Sequence, residues 1–327
     1  MSDYLITGGC GFIGAHLANR LVEEGHRVRV LDNLSNGDSD SLSEKCELVV
    51  GDVVNSDLVR ECFKGIDGCF HLAAAISAKG ITGNWIDSHR TNLIGSINIL
   101  DAASLNKTPV VYASSSAVYG DNAGLLLKEQ DRLRPLTAYG ADKLSSELHA
   151  RVAATVHGLP TTGLRFFNVY GPGQNSALPN SSVITVFIDR LLRGKAVNIH
   201  GDGEQIRDFI YVGDAVRFLR KAMYSSRPGS AIYNVCTGES VSINQLARSI
   251  MSILNINLPT VHQPTRKGDI RGFVGDPSLA GRYLGVSTRY RLAERLYHLI
   301  KHEQEMNSAI NPAAIQVRAS SQVCFLR

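Results

Sequence analysis

The chain has 327 residues, 44% hydrophobic and 20% charged, enough to bury one large core or two modest ones. Its 34 basic and 30 acidic residues leave a net charge of +4 with no basic block, which argues against nucleic-acid binding. No run of eighteen apolar residues occurs, so no membrane-spanning helix is predicted.

The first predicted strand covers residues 4–7, close to Met1; no signal peptide is expected there, and the expected location is cytoplasmic. The glycine-rich turn Gly8-Gly9-Cys10-Gly11-Phe12-Ile13-Gly14 then leads into a helix with Leu17, Leu21 and Val22 at helical spacing. Gly8, Gly11 and Gly14 allow a tight turn, close approach of a pyrophosphate and close packing of helix on strand. A second strand over 28–31 ends at Asp32, eighteen residues after Gly14, where a carboxylate accepts hydrogen bonds from ribose hydroxyls. Asn33-Leu34-Ser35-Asn36 offers no arginine for an extra phosphate, so NAD is expected rather than NADP.

A third strand is predicted over 46–53, a short helix over 57–63, and a fourth strand over 68–72 that runs into the small turn Ala73-Ala74-Ala75. After a helix over 91–100, a fifth strand over 109–113 delivers Ser114-Ser115-Ser116 to its carboxyl end, where open parallel sheets bind ligands. The long helix over 138–157 carries Ala141, Leu144, Leu148, Val152 and Val156 on one face and begins with Tyr139 and Lys143, four apart and so side by side. Free tyrosine titrates near pH 10; a neighbouring ammonium and a cationic nicotinamide would favour the phenolate and make it a usable base. A sixth strand covers 160–167.

Beyond Asn168 the chain is richer in loops, with helices predicted over 183–192 and 243–254, the latter capped by Ser242, and a strand over 231–236. This alternation predicts an α/β fold, a doubly wound parallel sheet (Rossmann-like) with a smaller C-terminal substrate-binding lobe. The sheet domain is assigned to 1–167, with 208–236 returning to it. The lobe is assigned to 168–207 and 237–305, and 306–327 is a tail of unknown role. Cys10, Cys46, Cys62, Cys69, Cys236 and Cys324 show no paired spacing and the ten histidines are scattered, so neither a disulfide framework nor a metal is expected.

Taken in order, these motifs resemble the nucleotide-sugar branch of the extended short-chain dehydrogenase/reductases, the UDP-glucose 4-epimerases in particular, over roughly residues 3 to 300. The resemblance rests on Thr7 to Gly14, on Asp32-Asn33-Leu34-Ser35-Asn36-Gly37, on Gly51-Asp52-Val53 and on Ser114 to Gly120. It rests further on Tyr139 with Lys143, on Leu164 to Pro172, on Gly201 to Phe209 and on Arg266-Lys267-Gly268-Asp269. It implies Ser115, Tyr139 and Lys143 as the catalytic group, with Ser116 the other candidate hydroxyl. Tyr139 and Lys143 would also touch the cofactor. Further NAD contacts are implied at Phe12, Ile13, Asn33, Asp52, Val53, Leu72, Ala73, Ala74, Asn92 and Phe166.

For the substrate, the resemblance implies Ser115, Tyr139, Asn168, Val183, Arg207, Arg266, Asp269 and Phe273, with the two arginines on the diphosphate and Phe273 bounding the sugar pocket. The implied activity is inversion of C4 of a UDP-hexose, UDP-glucose or UDP-galactose, in a homodimer formed by the helices around 92–100 and 141–156. A UDP-N-acetylhexosamine or a UDP-hexuronate is the alternative substrate, and a nucleotide-sugar dehydratase the alternative reaction. A dinucleotide-binding sensor without catalysis is the non-enzymatic one. Similar dehydratases place Asp-Glu directly after the active hydroxyl, where this chain has Ser116 and Ala117. Ile76 and Ser77 stand where some UDP-glucose 4-epimerases carry a lysine.

Overall fold

A computed structural model describes residues 1–75, 85–122, 126–176, 181–265 and 270–310, with side chains as far as residue 305. Buried β-branched strands alternate with helices from the start: β1 (Asp3–Thr7), α1 (Phe12–Glu23), β2 (Arg27–Asp32), β3 (Glu47–Val50), α2 (Ser56–Cys62), β4 (Gly68–His71), α3 (Trp85–His89), α4 (Gly95–Ser104) and β5 (Val110–Ser115). Helix α5 (Ala138–His157) and β6 (Thr161–Phe166) follow, then β7 (Asn168–Tyr170), α6 (Val183–Leu192), β8 (Val197–His200), β9 (Ile206–Arg207) and β10 (Phe209–Tyr211). The remainder comprises α7 (Val212–Tyr224), β11 (Ser230–Val235), β12 (Val241–Ser242), α8 (Ile243–Leu254), β13 (Thr260–Gln263), β14 (Gly272–Phe273), α9 (Ser278–Leu284) and α10 (Leu292–Ile310).

Seven strands form one parallel sheet in the order β11-β6-β5-β4-β1-β2-β3. Strand order reverses beside β1, which pairs with β2 on one side and β4 on the other. Such a switch point opens a crevice at the carboxyl ends of the strands. The register aligns those ends: Thr7 faces both Leu31 and His71, and Ser115 faces Phe166. One face of the sheet packs on α1 and α7 through Leu17, Leu21, Val30, Phe70, Phe218 and Leu219, and the other on α2, α4 and α5 through Leu5, Val59, Ile99, Val110 and Ala150. A separate apolar cluster joins α6, α8 and α10 around Ile184, Phe187, Leu246, Ile250 and Leu299. Three small sheets, β10-β7, β12-β9-β14 and β13-β8, were not expected from the sequence, because strands of two to four residues leave too short a pattern to read.

The apolar stripe of α5 runs the opposite way from ordinary amphipathic packing. Ala141 is exposed, and Leu148, Val152 and Val156 are 51%, 54% and 68% exposed, while Lys143, Ser146 and Glu147 are buried against the sheet. The inward face of this helix thus combines buried polar side chains with the small core residues Ala150 and Ala153. Its ends are well defined: the Thr137 hydroxyl accepts from the Gly140 amide at 3.0 Å, and Gly158 closes it in the left-handed conformation. Ser242 caps α8 through the Gln245 amide at 3.1 Å, as expected. At the C-terminal end, α10 continues through Ile310, five residues past the end of the predicted periodicity.

Candidate active site

The turn after β1 requires glycine for steric reasons. Gly8 has φ +70°, and a Cβ built on it would lie 2.6 Å from the Ala73 nitrogen; one on Gly14 would lie 2.2 Å from the Gly8 carbonyl oxygen. The backbones of the glycine turn and of the alanine turn after β4 are therefore in direct contact. Asp32, buried at the end of β2, organises this region: its carboxylate accepts from the Cys10 amide at 3.0 Å and from the Leu34 amide at 2.8 Å. Each oxygen retains a lone pair for a ribose hydroxyl. Asn33 donates to Asp52 at 2.8 Å, joining the ends of β2 and β3. Gly8, Asp32, Asn33, Asp52, Val53 and Ala73 line one cleft of about 120 Å³. A cradle with no room for Cβ atoms, next to a carboxylate and no cation, fits NAD.

The alanine turn is held from behind by residues the sequence reading did not single out, apart from Asn92. Thr7 Oγ1 and Ser96 Oγ bridge the two nitrogens of His71 at 2.7 and 3.0 Å. Burial, with a smaller contribution from the Lys143 charge, brings His71 down to about 3, so the imidazole is neutral at any working pH. Asn92 lies in a wide helical turn, Arg90–Ile94, and its side-chain amide both accepts from and donates to the backbone of Ala75 at 2.8 Å. It is fully buried, and its side-chain amide is committed to the Ala75 backbone. Such wide turns are often found at functional positions, and no periodicity announces them.

Ser114 and Ser115, consecutive at the end of β5, point to opposite sides because strand side chains alternate. Ser114 Oγ donates inward to Glu147 at 2.5 Å, and Glu147 holds Arg165 by paired bonds of 2.9 and 2.7 Å. Arg165 also donates to the Tyr119 hydroxyl at 3.0 Å, which donates to Asn234 at 2.6 Å. Ser115, at the carboxyl end of β5, accepts from the Ala117 amide at 3.1 Å, and its hydroxyl acts to lower the Tyr139 pKa.

Lys143 Nζ lies 5.7 Å from the centre of the Tyr139 ring. Burial pushes the Tyr139 phenol up to about 12, against the lowering effect of Ser115, and brings Lys143 down to about 8, against the raising effect of Asp142. In the chain by itself burial dominates at Tyr139; the expectation joins the ammonium with a cationic nicotinamide, and together they would favour the phenolate.

On the other side of the crevice, Asn168 opens β7 and its amide donates to the Asp208 carbonyl at 3.0 Å, while Val183 begins α6. Arg207 and Phe273 are paired in register on β9 and β14, the guanidinium 6.0 Å from the ring centre. Arg207 Nη1 donates to the Ile206 and Ile270 carbonyls at 2.8 Å each, and Phe273 meets Phe167 edge-on at 6.5 Å. Leu72, Phe12, Ile13 and Phe166 lie at the strand ends and helix start that border the crevice. Arg266 and Asp269, like Ile76 and Ser77, lie outside the described residues. A separate cavity of about 570 Å³ between α1 and α7 contains none of these side chains, and its Arg20, Arg217 and Arg220 are paired with Glu23, Glu24 and Asp214. Among the described residues no cluster of metal-ligating side chains occurs.

Residues 4–236 match the NAD dependent epimerase/dehydratase family. The chain belongs to this family. The UDP-glucose 4-epimerase of Mycolicibacterium smegmatis is 33% identical over 300 residues, covering 89% of this chain and 95% of that one. The UDP-N-acetyl-alpha-D-glucosaminuronate decarboxylase of Bacillus cytotoxicus is 34% identical over 282 residues, covering 84% and 87%. The crystal structure of UDP-glucose 4-epimerase with UDP-glucose from Thermotoga maritima superimposes with a TM-score of 0.89 at 32% identity, covering 93% of this chain and 99% of that one. The cofactor of the family, NAD, is the one that the cradle and Asp32 fit. As an epimerase and a decarboxylase are similar to this chain to the same degree, family membership leaves the reaction to be argued from the site.

Proposed function

We propose that this chain is a nucleotide-sugar 4-epimerase that interconverts UDP-glucose and UDP-galactose through a transient 4-keto sugar. The observation that carries the reading is the absence of a carboxylate directly after Ser115. Ala117 is placed beside the catalytic helix: a Cβ on Gly140 would lie 2.7 Å from the Ala117 carbonyl oxygen, one residue from Tyr139. Elimination of water or loss of a carboxyl group calls for an additional acid–base group here, and Ser116 and Ala117 provide none. Inversion at C4 needs one proton acceptor, and Ser115 with Tyr139 suffices.

In this reading Tyr139 Oη takes the proton of the C4 hydroxyl and later returns it, while Ser115 Oγ holds the C4 oxygen in line. Gly8, Gly11, Gly14 and Asp32 would hold NAD, and the chemistry it would supply is reversible hydride transfer at C4. Lys143 holds positive charge against the developing phenolate, and Arg207 pairs with the diphosphate. Asn168 borders the same side of the crevice. The second reading, a 4-epimerase of an N-acetylated or uronic UDP-hexose, is favoured by the 34% identity to the acetylglucosaminuronate enzyme. The exposed Leu148, Val152 and Val156 of α5 support a homodimer, since an apolar stripe of this kind is commonly covered by a partner.

Incubation of the purified protein with UDP-glucose, UDP-N-acetylglucosamine and UDP-glucuronate, with products separated by chromatography, tests the reading. UDP-galactose from UDP-glucose with no net NADH is the expected result. A 4-keto-6-deoxy product or release of carbon dioxide would overturn it, and turnover of the acetylated sugar alone would transfer the assignment to the second reading.

A further inference from the structure

Asp208 lies between β9 and β10, directly after Arg207, and the proton chemistry above makes no use of it. It is 0% exposed. Oδ1 accepts from the Thr237 amide at 2.8 Å and from the Thr237 hydroxyl at 2.6 Å; Oδ2 accepts from the Gly238 amide at 2.9 Å and from the Gly275 amide at 3.3 Å. The carboxylate is thus saturated by donors of the chain itself and presents no surface to a ligand. Thr237 and Gly238 come shortly after β11, the edge strand of the seven-stranded sheet, and Gly275 comes shortly after Phe273 where the chain leaves β14. One buried carboxylate therefore joins the large sheet to the strands that carry Arg207 and Phe273.

Those strands are too short to hold their own register. β12, β9 and β14 form one small sheet with 2 residues in each strand. Even a longer isolated hairpin is marginal in water, so a ladder of this length needs an anchor. Hydrogen bonds to a carboxylate supply one, being roughly twice as strong as neutral ones. Arg207 Nη1 is tied to the Ile206 and Ile270 carbonyls at 2.8 Å each, so a shift of β9 or of the segment leading into β14 moves the guanidinium. Phe273 meets Phe167, whose amide donates to the Val235 carbonyl of β11 at 3.1 Å, so its place against the large sheet depends on the same junction. The main-chain carbonyl of Asp208 adds a bond from the Asn168 amide at 3.0 Å, at the start of β7.

We propose that Asp208 is a positioning residue that fixes Arg207 and Phe273 against the large sheet, and so sets where the diphosphate and the sugar of the substrate are held. The inference rests on the proposed function, in which Arg207 pairs with the diphosphate. It gives Asp208 no contact with substrate and no part in proton transfer. Loss of the carboxylate acts on substrate binding and leaves the cofactor cradle intact, because that cradle is built from the glycine turn, Asp32 and the alanine turn, none of which bonds to the Asp208 side chain.

The test measures UDP and NAD affinities of the whole chain by calorimetric titration, with KM and kcat for UDP-glucose alongside. Asp208→Asn keeps the shape but sets an NH₂ group against amide donors. Its Kd for UDP is expected to rise about tenfold, and the KM for UDP-glucose with it, while NAD affinity and kcat change little. An equal loss of UDP and NAD affinity would show a joint of the fold alone and overturn the proposal. A double-mutant cycle with Arg207→Ala then asks whether Asp208 acts through the guanidinium. Losses of UDP affinity well short of additive are expected, because without Arg207 there is little left to misplace; additive losses overturn the proposal. If Asp208→Asn does not fold, Thr237→Val, which removes one donor to the carboxylate, takes its place. A smaller rise in the Kd for UDP, recovered in Thr237→Ser, is then expected, and an unchanged Kd overturns the proposal. Wild-type protein that binds UDP but turns over no sugar would sink the functional reading alone, while the UDP cycle still decides this one.

Discussion

Lys143 Nζ sits 5.7 Å from the Tyr139 ring centre, one turn along the same helix, and the lysine is 2% exposed. Keeping a cation there opposes folding. Its pKa is lowered from 10.5 to about 8 in the folded chain, so below about pH 8 both the folded and unfolded states are protonated and the penalty is present in full. The penalty fades as pH rises from about 8 to 10.5, because the folded state gives up its proton first. Lys143→Met is expected to stabilise the fold by about 3 kcal/mol at pH 7, and by much less at pH 10, while abolishing turnover. Denaturant midpoints of both proteins at the two pH values decide it; an equal difference at pH 7 and pH 10 would remove the buried charge as the cause.

Tyr139→Phe deletes the proton acceptor and leaves the ring in place. Epimerisation is expected to drop by about 10²–10⁴-fold with NAD affinity little changed. Ser115→Ala loses a hydrogen bond to the C4 oxygen while the phenol remains, so its loss should be smaller. Near wild-type turnover in Tyr139→Phe would contradict the assignment of the base.

Asp32 organises the chain through the Cys10 and Leu34 amides, and in the proposed function it also holds the cofactor ribose. Asp32→Ala removes the acceptor for the Cys10 and Leu34 amides, each bond to a charged group being worth about 1.5–3 kcal/mol. Both loop stability and NAD affinity should fall, and the preference for NAD over NADP should narrow because the carboxylate no longer repels a 2′-phosphate. Asp32→Asn keeps one carbonyl acceptor and should retain more stability than affinity. Calorimetric titration with both cofactors, next to thermal melts, separates the two roles, and unchanged affinities would leave Asp32 a turn residue only.

Phe273 is partly buried between Phe167 and the guanidinium of Arg207. If it bounds the sugar pocket, Phe273→Ser should raise the kcat/KM of UDP-N-acetylglucosamine relative to UDP-glucose. Truncation of a fully buried phenylalanine loses about 3–5 kcal/mol, and partial burial should place this variant below that range. A wild-type preference for the acetylated sugar would refute the gate.

The Glu147–Arg165 pair is buried on both sides, 7% and 4% exposed in its side chains. Glu147→Ala leaves a buried guanidinium without its carboxylate and is expected to destabilise by about 3–5 kcal/mol in denaturant melts. The double change Glu147→Leu with Arg165→Met should be milder than the sum of the two single changes; additive losses would show that the pair does not act as a unit.

The sheet, its flanking helices, the glycine turn, Asp32 and the Ser115, Tyr139 and Lys143 constellation were all legible in the sequence. Each is encoded locally: strand and helix periods repeat over a few residues, a strand-to-helix turn that touches another backbone must be glycine, and a spacing of four places two side chains on one helix face. For the active hydroxyl the sequence left Ser115 and Ser116 as candidates, and the structure sets Ser115 at the end of β5, opposite Phe166. Tertiary structure alone decided what holds these residues and how they titrate. Thr7, His71, Asn92 and Ser96 are up to 89 positions apart in the chain yet meet behind the alanine turn, and no local pattern registers such a meeting. The outward stripe of α5 and the inward Lys143 invert the usual rule of apolar side in, and the buried polar side chains Ser146 and Glu147 find hydrogen-bond partners on the inward side. The balance between burial and neighbouring charge at Tyr139 and Lys143 likewise depends on which atoms exclude water around them, a property of the packed chain and not of the motif.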